Sequence, residues 1–99
     1  MPTPQEILRD IARIPRMERG ALCRMREGAN GPYFNHQTWE KGRNVVRYVP
    51  RDRAAAIREA IAGYRRFLLL TEAYADLIIR RTRKKHAPPP RAPRRNRPA

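Results

Sequence analysis

The sequence is short of several things, and each shortage removes a class of protein. It has one cysteine, Cys23, in 99 residues. That forbids an internal disulfide and a cysteine-rich zinc cluster. It has no run near the ~18 apolar residues of a membrane-spanning helix. Its start, Met1 to Arg9, leads into an amphipathic stretch and has no apolar core of a secretory signal. The expected location is therefore cytoplasmic. Acids are scarce: nine Asp+Glu stand against 23 Lys+Arg, a formal net charge of +14. Chain length allows one small core with an appended tail and argues against a deep, enclosed substrate site.

What is present is positive charge, placed unevenly. Residues 77–99 hold nine cations and no carboxylate, because Asp76 is the last acid. The nine are Arg80, Arg81, Arg83, Lys84, Lys85, Arg91, Arg94, Arg95 and Arg97. A single-sign block stays solvated and commonly meets a polyanion. Only Lys41, Lys84 and Lys85 are lysine; the other cations are arginine. Arginine pairs bidentately with phosphate and stacks on bases. GC-rich coding also raises arginine, but it does not remove the acids after Asp76.

Punctuation and periodicity give an α+β outline. Thr3-Pro4-Gln5-Glu6 has the form of a helix start: a capping threonine, proline in the first turn and a glutamate reaching back. Ile7, Leu8, Ile11 and Ile14 follow at helical spacing, and Pro15 stops the run. A short helix over 3–14 is expected. Gly20, Gly28, Gly31, Pro32, Gly42 and Pro50 then bound three stretches rich in aromatic and β-branched residues. These predict a three-stranded antiparallel meander, with strands near 20–26, 33–40 and 44–49. Glu40-Lys41-Gly42-Arg43 is a hairpin with Gly42 at positive φ, and Glu27 to Pro32 forms the other turn. The register stays open. A two- or four-residue loop sets Phe34 and Thr38 with Val45 and Val49; a three-residue loop sets that face with Val46 and Tyr48.

From Arg51 to His86 the period is helical and proline-free. One helix over 51–86 is expected, with Asp52 near its start and Gly63 as its one breaker, costing about 1 kcal/mol relative to alanine. Ile57, Ile61, Tyr64, Leu68, Thr71, Ala75 and Ile78 step four and three along it, as a heptad seam does. Ala56, Ala60, Phe67, Leu70, Tyr74 and Leu77 make a second stripe. One stripe serves the sheet and first helix; the other calls for a homodimer or a larger protein partner. Residues Ile57, Ile61, Tyr64, Leu68 and Ile78 are the expected helix interface. The stretch 87–99 holds five prolines among its arginines and is expected to be a disordered basic tail.

Gly31-Pro32-Tyr33-Phe34, Trp39-Glu40-Lys41-Gly42-Arg43-Asn44-Val45-Val46-Arg47-Tyr48-Val49-Pro50 and Gly63-Tyr64-Arg65-Arg66-Phe67 occur in that order. Together they resemble a small bacterial domain family of unknown function, over roughly Glu18 to Arg83. The resemblance implies the same strand, hairpin and long-helix outline, and some members lie near mobile-element genes. Many carry a cysteine cluster before the Gly-Pro-Tyr strand, where this chain keeps only Cys23. It transfers no catalytic or binding residue.

Chemistry is thin. Cys23, His36 and His86 are too dispersed for metal spacing, and Cys23 reads as a small apolar residue on a strand. Cys23 with His36 lacks an orienting third group, and no paired carboxylates suit nuclease work. No enzyme, cofactor or metal is expected. The functional expectation is nucleic-acid binding, dominated by phosphate contacts. Its residues are Arg24, Arg26, Arg43 and Arg47 on the sheet, the nine cations after Asp76, and Trp39 and His36. Aromatics interleaved with sheet cations would stack bases while the cations hold phosphates; the same aromatics could equally be core. DNA and RNA are not distinguished. The competing expectation is a protein-interaction module docking through the long helix. Membrane association lacks an apolar face beside the charges.

Overall fold

A computed structural model of the chain describes residues 1–25 and 33–86. Helix α1 spans Pro4–Ala12, strand β1 Ala21–Arg24, β2 Phe34–Glu40 and β3 Arg43–Val49. A 3-10 turn, Arg51–Arg53, leads into the 33-residue helix α2, Ala54–His86. This is the α+β order anticipated: short helix, antiparallel meander, long helix. Arg26, the expected turn at Glu27 to Pro32 and the tail carrying Arg91, Arg94, Arg95 and Arg97 lie outside the described residues.

The start of α1 is a complete capping box. The Glu6 amide donates to Thr3 Oγ1 at 3.1 Å, and the Thr3 amide donates to Glu6 Oε1 at 2.9 Å. Such a cap contributes about 1 kcal/mol. The helix has only nine residues, too few to stand alone in water, and its stability comes from packing. Ile7, 2 % exposed, is the anchor.

Helix α1 runs antiparallel along α2. Its start shares a hollow with the far part of α2, where Met1 and Ile7 meet Ala73, Asp76, Leu77 and Arg80. Its end shares another with the near part, where Ile14, Pro15 and Arg16 meet Glu59, Ala62, Gly63 and Arg66. Gly63 and Ala73, both half-buried, are small residues along this line. Gly63 is more than a tolerated breaker. A Cβ there would overlap the Arg16 carbonyl oxygen, so glycine lets the chain after α1 lie directly on the helix. The Glu18 amide then donates to the Ala60 carbonyl at 2.9 Å.

The sheet order is β1-β2-β3. Phe34 pairs with Val49 and Thr38 with Val45, so the hairpin loop is the two residues Lys41 and Gly42. Both have positive φ, 51° and 80°. Such a turn matches the right-handed twist of the flanking strands. Strand alternation then sorts the side chains. Leu22, Phe34, His36, Thr38, Val45 and Val49 share the inward face, where His36, Thr38 and Val49 are buried. Cys23, Asn35, Gln37, Trp39, Asn44, Val46 and Tyr48 share the outward face. Helix α2 packs on β1, and the Arg58 guanidinium lies 5.8 Å from the Phe34 ring centre. The small core is Ile7, Val49, Ala54, Ala60 and Ile61. No helix among the described residues is long and apolar enough to cross a membrane.

Candidate nucleic-acid interface

The end of α2 concentrates the described charge. Arg80, Arg81, Arg83, Lys84 and Lys85 are all exposed. At about 100° per residue these positions fan over an arc of about 200° of the helix, with Thr82 and His86 on the remaining side. Arg80 reaches the first residue of the chain, with Nη1 3.8 Å from Met1 Sδ. Among the described residues, none of the five comes within ion-pair distance of a carboxylate. A fan of this kind can meet phosphates over about half of the helix surface, but it presents no ordered row of side chains for reading base edges. Cations at this end also oppose the negative pole of the helix dipole, so the cluster helps hold its own helix.

The sheet does not carry aromatics and cations on one surface. Arg24, Arg43 and Arg47 belong to the inward-facing set, whereas Trp39 and Tyr48 belong to the other. The expectation of a mixed stacking-and-clamping face is corrected: the two-residue loop puts the two residue types on opposite parities. Arg47 is also engaged. Its Nη1 donates to Thr38 Oγ1 at 3.1 Å and its Nη2 to Glu40 Oε2 at 3.1 Å. The Thr38 hydroxyl donates to the same carboxylate oxygen at 2.6 Å. These bonds, first Thr38 and then Arg47, hold the Glu40 carboxyl below the usual carboxylate range. Arg43, at the start of β3, is exposed at the hairpin tip, as is Arg24 at the end of β1.

His36 is a second correction. It is 3 % exposed, and its Nε2–H donates to the Arg19 carbonyl at 2.7 Å, with Glu18 Oε2 4.0 Å away. A ring so placed ties the segment before β1 to the sheet and cannot reach a base edge. Nothing local in the sequence separated it from Asn35 and Gln37. Only its inward parity does.

The outward face is open. Trp39 is 71 % exposed, Tyr48 65 % and Val46 49 %. Tyr33 stands beside Tyr48, ring centres 5.8 Å apart and planes tilted by 44°. Asn35 and Gln37 lie half-buried between them and Trp39, and Asn44 is exposed. Cys23 is a free thiol, half-buried on this face. Among the described residues, no three His, Cys, Asp or Glu side chains gather as metal ligands would.

The expected helix interface divides. Ile61 is buried in the chain's own core. Ile57 and Tyr64 are half-buried, and Arg19 lies 5.0 Å from the Tyr64 ring centre, which stacks on Phe67 at 6.2 Å. For Ile61 and Tyr64 the expectation of an intermolecular seam is corrected: Ile61 is buried in the core and the segment after α1 lies against Tyr64. Leu68, 47 % exposed, and Ile78, half-buried, continue the same stripe further along α2. No protein-family model matches the chain, and no significant match exists among curated proteins or solved structures.

Proposed function

We propose that this protein binds nucleic acid without catalysing a reaction on it, gripping phosphates through the basic end of α2. One observation carries the reading: Arg80, Arg81, Arg83, Lys84 and Lys85 project together, exposed and unmatched by carboxylates among the described residues. Self-repulsion of five cations within two helical turns is a cost that a polyanion relieves, releasing its counterions. Planar arginine forks suit phosphate better than a diffuse acidic surface does. Arg43 and Lys41 at the hairpin tip add separate points of contact.

The test is equilibrium binding of labelled duplex and single-stranded oligonucleotides at low salt. The full chain is compared with a variant in which the five helix-end cations are glutamine. The reading expects the variant to lose more than about tenfold in affinity. Equal affinity would remove the helix end from the interface.

A second reading rests on a different observation. Leu68, Leu69 and Ile79 are 47 %, 73 % and 42 % exposed on the length of α2 beyond the sheet. Leu68 and Leu69 are adjacent and Ile79 stands about three turns further on, near the side of Leu68, and exposed apolar side chains along one helix suit docking. In this reading a protein, either a second copy or a larger partner, covers α2. Its mark is a mass in solution above that of one chain, lost on Leu68→Asp.

A further inference from the structure

We propose that the outward face of the sheet is a stacking platform for unpaired bases, so that the nucleic acid taken by this protein is single-stranded. This rests on the nucleic-acid reading above and names its substrate class. Three aromatic rings stand on or beside that face, and two of them are mostly in water. Trp39 and Tyr48 lie at opposite ends, since Tyr48 pairs with Asn35, four residues from Trp39 along β2. At about 3.4 Å per residue the two positions are ~14 Å apart. The stretch between them, over Gln37 and Val46, leaves room for intervening bases.

The face's chemistry favours a nucleic acid over the alternatives. Among the described residues, those of this face, from Ala21 and Cys23 through Asn35, Gln37 and Trp39 to Tyr48, include no charged group, so an anionic strand meets no carboxylate from them. The amides of Asn35, Gln37 and Asn44 each offer donors and an acceptor, the complement of an exposed base edge. Lys41 stands exposed in the hairpin loop, two residues from Trp39, where it can hold a phosphate of a base stacked on that ring; Arg43 belongs to the other face and takes no part in the platform. Base stacking on an aromatic ring needs the base face bare. A duplex hides those faces, so only an unpaired strand can use the rings.

The experiment uses a feature of the chain itself: Trp39 is its only tryptophan. The full chain is titrated with a short oligothymidylate and with a duplex of equal length, at one salt concentration. Tryptophan fluorescence and the anisotropy of the labelled oligonucleotide are both read. We expect oligothymidylate to bind more tightly than duplex and to quench Trp39. Trp39→Ala should weaken single-strand binding by about tenfold or more, leave duplex binding unchanged, and be largely rescued by Trp39→Phe. Tyr48→Ala should act in the same direction. Trp39 is exposed, so an unchanged circular dichroism spectrum confirms that each variant is folded. If both oligonucleotides bind but Trp39 stays silent and Trp39→Ala changes nothing, the platform is wrong while the helix-end reading stands. If neither binds, both fall.

Discussion

Gly63 lies directly beneath the carbonyl oxygen of Arg16, with no room for a side-chain carbon between helix and crossing chain. Two effects of Gly63→Ala oppose each other. Alanine gains about 1 kcal/mol of helix propensity. Forcing the Arg16 backbone away costs more, typically ~1–3 kcal/mol for overpacking, and it strains the adjacent bond from the Glu18 amide to the Ala60 carbonyl. We predict net destabilisation, seen as a lower midpoint in urea. A gain in stability would mean that the crossing chain yields freely.

His36 is predicted to be a stability residue only. His36→Ala leaves the Arg19 carbonyl without its donor and opens a hole in a buried place. Together these effects cost about 2–3 kcal/mol. Oligonucleotide affinity, measured where the variant remains folded, should match that of the parent chain.

The Thr38–Glu40–Arg47 cluster predicts a pH effect of known sign. The Glu40 carboxyl is held low by the Thr38 hydroxyl and the Arg47 guanidinium. A carboxylate more acidic in the folded than in the unfolded chain stabilises the fold above its unfolded value, about 4.3. That contribution disappears as pH falls through the lower folded value. Thr38→Val removes the largest cause, so carboxyl NMR titration should show Glu40 moving up toward the ordinary range. An unmoved Glu40 would mean that Arg47 alone sets it.

Two positions of the helix stripe should behave oppositely. Ile61→Ala creates a cavity in the core and is predicted to cost about 2–4 kcal/mol. Leu68→Ala, at a half-exposed position, should cost less than about 1 kcal/mol. Denaturant unfolding at matched concentrations measures both. Comparable losses would mean that Leu68 is covered in solution, which favours the docking reading of α2.

Much of the fold was legible because its signals are local. Thr3, Pro4 and Glu6 announce the capping box three residues apart, and Gly42 marks the hairpin. The register was not legible, because four residues from Glu40 to Arg43 suit several loop lengths, and Lys41 at positive φ is not a usual residue there. That open point decided the site. Once the loop is Lys41-Gly42, alternation alone separates Trp39 and Tyr48 from Arg43 and Arg47, while His36 turns inward with Phe34 and Thr38 of its own strand. Gly63 shows the other limit. Its need for closeness comes from residues 14–16, nearly fifty positions away in sequence, and no helical pattern within α2 reveals it. The exposed helix-end cations, by contrast, were plain from the missing acids.

The most direct measurement is the salt dependence of oligonucleotide binding, for the full chain and for the variant with glutamine at the five helix-end positions. Neutralising five phosphates predicts a difference in the slope of log K against log salt of about 3.5 for a single strand and about 4.5 for a duplex. The full chain should show the steeper fall, and the variant should bind weakly with a shallow one. Identical slopes for the two proteins would contradict the claim that the end of α2 holds the phosphate backbone.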